Sequence, residues 1–273
     1  MKKFEGILIC SDLDGTLLKK DKSVSRENLE AIEYFKSEGG YFTFITGRMP
    51  YYVTDIYNTV KPNAPIGCVN GGAIFDFVGE KYLWTRELER DALELAESVI
   101  ASVEGIGFQV STFERVYFCQ DNSAMEHFRA VTKVPNIQKH HRDIDIPIAK
   151  LLFADDDESK ILKAKEILEN HPRANEFDFI RSERTLFEIL PKGISKGSVL
   201  SEMTKVLGID MQKTIGIGDY NNDIEMLKKA RIGIAVANAC EEAKKAADYI
   251  TVSNEEHAIA KTIYDIENGI LKF

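Results

Sequence analysis

Four times this 273-residue chain runs from an unbroken apolar stretch straight into residues that carry chemistry. Gly6-Ile7-Leu8-Ile9-Cys10-Ser11 meets Asp12-Leu13-Asp14-Gly15-Thr16. Tyr41-Phe42-Thr43-Phe44-Ile45 meets Thr46-Gly47-Arg48, and Ile66-Gly67-Cys68-Val69 meets Asn70-Gly71-Gly72. Near the end, Thr214-Ile215-Gly216-Ile217 meets Gly218-Asp219. Runs without polar alternation predict strands buried on both faces, as in a parallel sheet. Helical patterns lie between them. Ser25 is a predicted N-cap with Val24 and Leu29 at the hydrophobic-staple positions. Leu29, Ile32 and Phe35 continue the apolar face, and Gly39-Gly40 end it. Further helices are expected over Pro50 to Val60 and Asp223 to Ala230, with strands over Ile232 to Val236 and Tyr249 to Thr251. Such alternation predicts an α/β fold with a doubly wound, Rossmann-like parallel sheet.

The middle of the chain reads differently. Phe108-Gln109-Val110-Ser111 and Val116-Tyr117-Phe118-Cys119 alternate, and helices are expected over Arg90 to Val103 and Glu158 to Glu169. The polar stretch Lys139 to Pro147 reads as a loop. An α+β domain over 84–190 is therefore expected, inserted into a core made of 1–83 and 191–273.

Composition narrows the partners. A net charge of −9 disfavours nucleic acid, whose binders need a basic footprint. No apolar stretch reaches the roughly 20 residues of a membrane span. Met1-Lys2-Lys3 opens like a signal peptide, but Glu5 breaks the run and Asp12 ends it, so no secretory leader is expected. Cys10, Cys68, Cys119 and Cys240 show no Cys-x-x-Cys pairing, which fits reduced thiols and a cytoplasmic location.

Ligands of open α/β sheets bind beyond the carboxyl ends of the strands. Asp12, Asp14, Thr46, Asn70 and Asp219 stand there. Three converging carboxylates repel, so a proton or a cation must join them. An oxygen-rich site with open positions suits Mg²⁺.

These residues also resemble a known family. Asp12-Leu13-Asp14-Gly15-Thr16 is similar to the D-x-D-G-T signature of the haloacid dehalogenase superfamily, and Thr46-Gly47-Arg48 to its second motif. Ser195-Lys196-Gly197 resembles the third, and Gly218-Asp219-Tyr220-Asn221-Asn222-Asp223 the fourth. The insert resembles the large cap of the Cof-type sugar-phosphate phosphatases. The resemblance implies that Asp12 is a nucleophile forming an aspartyl phosphate, and that Asp14 is the general acid and then the base. It implies Mg²⁺ on the Asp12 carboxylate, the Asp14 backbone carbonyl and Asp219, with Asp223 beside them. Thr46, the Gly47 amide, Lys196 and Asn222 would grip the phosphoryl oxygens. The expected substrate is a small phosphorylated metabolite.

Several features compete. Lys192 is an alternative to Lys196, but the Ser-Lys-Gly context opens an apolar helix with Val199, Leu200, Met203 and Val206. Arg48 reads as a substrate contact or a structural ion pair. Asn221 reads as structural or as a support behind the site, and Asn222 fits the family's phosphate contact better. Gly216-x-Gly218 lacks the third glycine of a dinucleotide fingerprint, and no P-loop motif is present. His140-His141 reads as loop rather than metal site, and Asp155-Asp156-Asp157 as the cap of the helix at Glu158. His257 stands where the Cof pattern has glycine, and reads as a surface or helix-start residue. A phosphomutase sharing the core, and a catalytically idle binding module, are the rival functions.

Overall fold

The computed structural model describes residues 2–272. Two compact units make up the chain: 1–84 with 195–273, and 85–194. The first stretch holds β1 (Leu8–Ser11), α1 (Arg26–Ser37), β2 (Tyr41–Phe44), α2 (Thr54–Val60), β3 (Ile66–Cys68), β4 (Ala73–Asp76) and β5 (Lys81–Thr85). The second unit follows with α3 (Ala92–Ser102), β6 (Gly107–Thr112), β7 (Val116–Gln120), α4 (Ser123–Thr132), β8 (Ile148–Ala154), α5 (Glu158–Glu169), β9 (Phe177–Glu183) and β10 (Leu186–Pro191). The chain then returns with α6 (Lys196–Leu207), β11 (Thr214–Gly218), α7 (Ile224–Lys229), β12 (Ile232–Ala235), α8 (Glu241–Ala246), β13 (Tyr249–Ile250) and α9 (Ala258–Glu267).

The first unit is built on a parallel sheet ordered β13-β12-β11-β1-β2. Its strands are the continuous apolar runs, and β1 and β11 are buried along their whole length. Leu8, Cys10 and Ile45 pack on Val199, Leu200 and Met203 of α6. The helix α1 begins as expected, with the Ser25 side chain accepting from the Asn28 amide. Among the described residues no helix is long and apolar enough to cross a membrane.

Four expectations need correction. The strand at Ile66 does not extend the parallel sheet. It pairs antiparallel with β4 in a separate sheet, β3-β4-β5, and meets the main sheet through the bridge Ile45–Gly67. The cause is the turn at Val69–Gly71, where Asn70 adopts φ 52° and sends the chain straight back. The expected helix over Pro50 to Val60 is broken into a 3-10 turn at Pro50–Tyr52 and α2. Val206 on α6 is 47% exposed rather than on the buried face. Finally, β6 is buried on both faces despite its alternating sequence.

The second unit contains the sheet β7-β6-β8-β10-β9, antiparallel throughout. One face carries Phe108, Val110, Leu151, Phe153, Phe187 and Ile189, packed with residues of α3 and α5 into a core. Asp157 caps α5 by accepting from the Ser159 amide. The stretch expected as a loop contains a single 3-10 turn, where His141 meets Glu97 at 2.9 Å.

Candidate active site

The carboxyl ends of β1, β2 and β11 and the start of α6 bring most of the sequence-derived residues together. Asp12 continues the ladder beyond β1, its amide donating to the Ile217 carbonyl at 2.8 Å. Its side chain is thereby aimed off the sheet end. Lys196 opens α6, whose N-cap Ser195 forms a reciprocal capping box with Ser198. That cap fixes the first turn and with it the direction of the lysine.

Lys196 is completely buried. Its Nζ donates to Asp12 Oδ1 and to Asp223 Oδ1, each at 2.6 Å. Burial alone would discharge the ammonium, but Asp12 and Asp223 outweigh it and hold the lysine charged. Asp223 spends its other oxygen on the backbone amides of Asp219 and Tyr220, at 2.9 and 3.0 Å. It therefore anchors the lysine and shapes the turn after β11 together. Lys192, by contrast, is an exposed charge on Asp178.

Asp219 lies across from these groups, with Thr16 Oγ1 donating to its Oδ1 at 2.7 Å. Gly15 makes this approach possible. Its φ is +83°, and a Cβ there would stand 2.5 Å from Asp219 Oδ2. Ligand oxygens of Asp12, Asp219 and Asp223 fall within 4.8 Å of one another. Burial, reinforced by Asp223, pushes the Asp219 carboxyl up to about 7. Burial also raises Asp12, with Lys196 opposing it and the neighbouring carboxylates adding to it. Three carboxylates against one ammonium leave two negative charges in excess when all are ionised. A set of oxygen donors with that excess fits a hard divalent cation.

Asp14 goes elsewhere. Its carboxylate accepts Arg48 Nε at 2.8 Å and an Arg48 terminal nitrogen at 2.7 Å, a two-pronged ion pair, and Lys22 Nζ at 2.7 Å. Lys22 is delivered by a tight turn, its amide donating to the Lys19 carbonyl. Burial would raise the Asp14 carboxyl, but Arg48 and then Lys22 prevail and hold it below the ordinary carboxylate range. Its side chain is thus outside the carboxylate cluster, so any part it takes in metal binding falls to its backbone carbonyl.

Thr46 is buried at the end of β2, its hydroxyl accepting from the Arg48 amide at 3.2 Å. Asn222 Nδ2 donates to Asn70 Oδ1 at 3.0 Å. Gly47 packs beside that amide pair, since a Cβ on it would come 2.9 Å from Asn70 Oδ1. His257 adopts φ 65° at the start of α9, the left-handed conformation that glycine favours, and lies 3.5 Å from Glu27.

The sequence reading gave no part to Thr16 or Lys22, did not pair Asn70 with Asn222 although each was singled out, and left Arg48 open. Thr16 carried a signal, as a hydroxyl in the polar run after β1. Lys22 carried none, because a turn alone brings it to Asp14.

The sequence profile of the haloacid dehalogenase-like hydrolases matches residues 9–263. The 5-amino-6-(5-phospho-D-ribitylamino)uracil phosphatase YwtE of Bacillus subtilis is 30% identical, covering 96% of this chain and 98% of its own. A second phosphatase of the same description from that organism, YcsE, is also 30% identical, covering 94% of each chain. The crystal structure of a haloacid dehalogenase-like hydrolase from Bacteroides thetaiotaomicron superposes with a TM-score of 0.83 at 26% identity, covering 96% of this chain and all of that one. With four motifs at the sheet end and a profile match over nearly its whole length, the chain belongs to the haloacid dehalogenase-like hydrolases, in their Cof-type phosphatase group.

Proposed function

We propose that the chain hydrolyses phosphate monoesters of small metabolites, with Mg²⁺, through an aspartyl phosphate on Asp12. The observation that carries this is the cluster of Asp12, Asp219 and Asp223, the first and last of them paired with buried Lys196; it has two surplus negative charges when all four groups are ionised. Asp12, Asp219 and the Asp14 backbone carbonyl would hold the ion, with Asp223 beside them. When bound, Mg²⁺ would offset the repulsion between the Asp12 carboxylate and an incoming phosphate dianion.

The chain's own groups do the rest. An Asp12 oxygen attacks phosphorus; the new O–P bond forms as the ester P–O bond breaks, and the leaving oxygen takes the proton of a protonated Asp14, which is left ionised. Water then attacks phosphorus, gives a proton to Asp14, and displaces the Asp12 carboxylate. Lys196, Thr46, the Gly47 amide and Asn222 would hold the phosphoryl oxygens as charge redistributes. Lys196 also fixes Asp12 for attack. With Arg48 and Lys22 in place Asp14 is ionised, the form that accepts the proton of water. Donating a proton to the leaving oxygen requires that pair of cations to let go first.

We assign recognition of the rest of the substrate to the inserted domain, 84–190 in the sequence reading. The names of YwtE and YcsE support a small phosphorylated metabolite as substrate class. The free cysteines Cys10, Cys68, Cys119 and Cys240 agree with a reducing, cytoplasmic location.

Release of inorganic phosphate from a panel of metabolite phosphates tests the reading. Turnover is expected with Mg²⁺ and is expected to be lost in excess chelator, returning on readdition. Transfer of the phosphoryl group to a second position without free phosphate would favour the mutase. Binding without any turnover would favour the idle module, and undiminished turnover in chelator would remove Mg²⁺ from the account.

A further inference from the structure

The short segment 236–240, between β12 and α8, ties together the two loops that carry the proposed ion ligands. Main-chain bonds join it to the loop after β11. The Val236 amide donates to the Gly218 carbonyl at 3.2 Å, and the Cys240 amide to the Asp219 carbonyl at 2.9 Å. A side chain joins it to the loop after β1. Asn238 Nδ2 donates to the Gly15 carbonyl at 2.8 Å, and Asn238 Oδ1 accepts from the Asn254 amide at 3.0 Å. A backbone acceptor on its nitrogen and a backbone donor on its oxygen leave that amide group one orientation. Asn254 is itself buried, and its Nδ2 donates to the Leu18 carbonyl at 2.9 Å. The loop after β1 is therefore gripped at both Gly15 and Leu18.

The grip at Gly15 falls where the turn is freest. Inside the turn the amides of Thr16, Leu17 and Leu18 return to the carbonyls of Leu13, Asp12 and Leu13. Gly15 lies between those anchors with φ +83°, a conformation from which a glycine can swing at little cost. The carbonyl before it is that of Asp14, one of the proposed ligands. The hydroxyl after it is that of Thr16, which donates to Asp219 Oδ1 at 2.7 Å. Pinning the Gly15 carbonyl removes the freedom of both.

We propose that Asn238 is a positioning residue for the divalent cation, holding the Asp14–Gly15–Thr16 turn so that the Asp14 carbonyl and the Asp219 carboxylate face the ion together. This inference rests on the metal reading above. Asn238 acts through the turn and not as a ligand, because its one acceptor atom is turned to the Asn254 amide. Groups that orient metal ligands in this way are worth about 10–100-fold in metal affinity.

Mn²⁺, a hard divalent cation like Mg²⁺, is titrated into the full chain without substrate, and the free aqua ion is counted by electron paramagnetic resonance. The Mg²⁺ dependence of phosphate release is measured beside it. Asn238→Ala is expected to weaken Mn²⁺ binding about tenfold and to raise the Mg²⁺ needed for half-maximal release by a similar factor. Asn238→Asp keeps an acceptor for the Asn254 amide but sets an oxygen against the Gly15 carbonyl. It too is expected to weaken binding, whereas its added charge alone would tighten it. Because Asn238 is exposed, the thermal midpoints of the metal-free variants are expected within about 3 °C of the wild type's. Variants that bind Mn²⁺ as tightly as the wild type would overturn the proposal. So would a large fall in the metal-free midpoint with an unchanged Mn²⁺ constant, which makes Asn238 a brace for the fold alone. A wild type that binds no Mn²⁺ and needs no Mg²⁺ contradicts the metal reading itself.

Discussion

Asp12→Asn is expected to abolish phosphate release, with kcat/KM falling by at least about 10⁴-fold. Asp12 is asked to supply the electron pair that attacks phosphorus, and an amide oxygen is a far weaker nucleophile. The same change removes a charged ligand from the carboxylate cluster. The fold should survive it. Lys196 keeps Asp223 at 2.6 Å, and the Asp12 amide keeps its place in the ladder beside β1. Steady-state assays on the folded variant, with its thermal midpoint recorded beside the wild type's, measure this. Substantial turnover by a well-folded variant would place the nucleophile elsewhere.

Lys196→Ala is expected to act on stability and activity together. It leaves Asp12 and Asp223 buried with no counter-charge, and breaking a buried pair in this way costs roughly 3–5 kcal/mol. Proton uptake by the carboxyls will recover part of that loss. Activity should fall at least about 10³-fold, because Asp12 loses the group that orients it and the phosphoryl oxygens lose a cation. The loss should be the same for every ester, since the lysine meets only the shared phosphoryl group. Lys192→Ala removes an exposed charge and should change stability by no more than about 0.5 kcal/mol, with activity near wild type. Denaturant melts and kcat/KM on two unrelated esters separate the two lysines, and a more damaging Lys192→Ala would reverse their assignment.

What could be read from the sequence followed from how locally each feature is encoded. A parallel strand buried on both faces must be continuously apolar, so β1, β2 and β11 and the residues ending them stood out. Ser25 announced its helix because capping is a matter of a few adjacent residues, and the Ser-Lys-Gly context with the apolar positions after it marked the start of α6. Features that depend on where the chain goes next were hidden. Asn70 in a left-handed conformation turned an apparent sheet strand into the first of a separate antiparallel sheet. Lys22 reaches Asp14 only through a turn. The helix α4 went unrecognised: Ser123–Thr132 is only ten residues long, and of its side chains only Ala124 and Met125 are buried. The polar face of β6 was legible as alternation, but alternation normally means a wet face, and Gln109 and Ser111 are dry.

The account turns on a covalent intermediate at one residue, and trapping it is the most direct test. Asp14→Asn removes the group expected to take a proton from water, so the aspartyl phosphate should outlive its formation. With p-nitrophenyl phosphate, whose leaving group needs no proton, this variant should give a burst of nitrophenol close to one per active site. Acid quench during the burst and borohydride reduction convert an aspartyl phosphate to homoserine, which peptide mass spectrometry locates. The account predicts homoserine at position 12, dependent on substrate and on Mg²⁺. A burst with homoserine at another aspartate, or none at any position while nitrophenol is released, would contradict it.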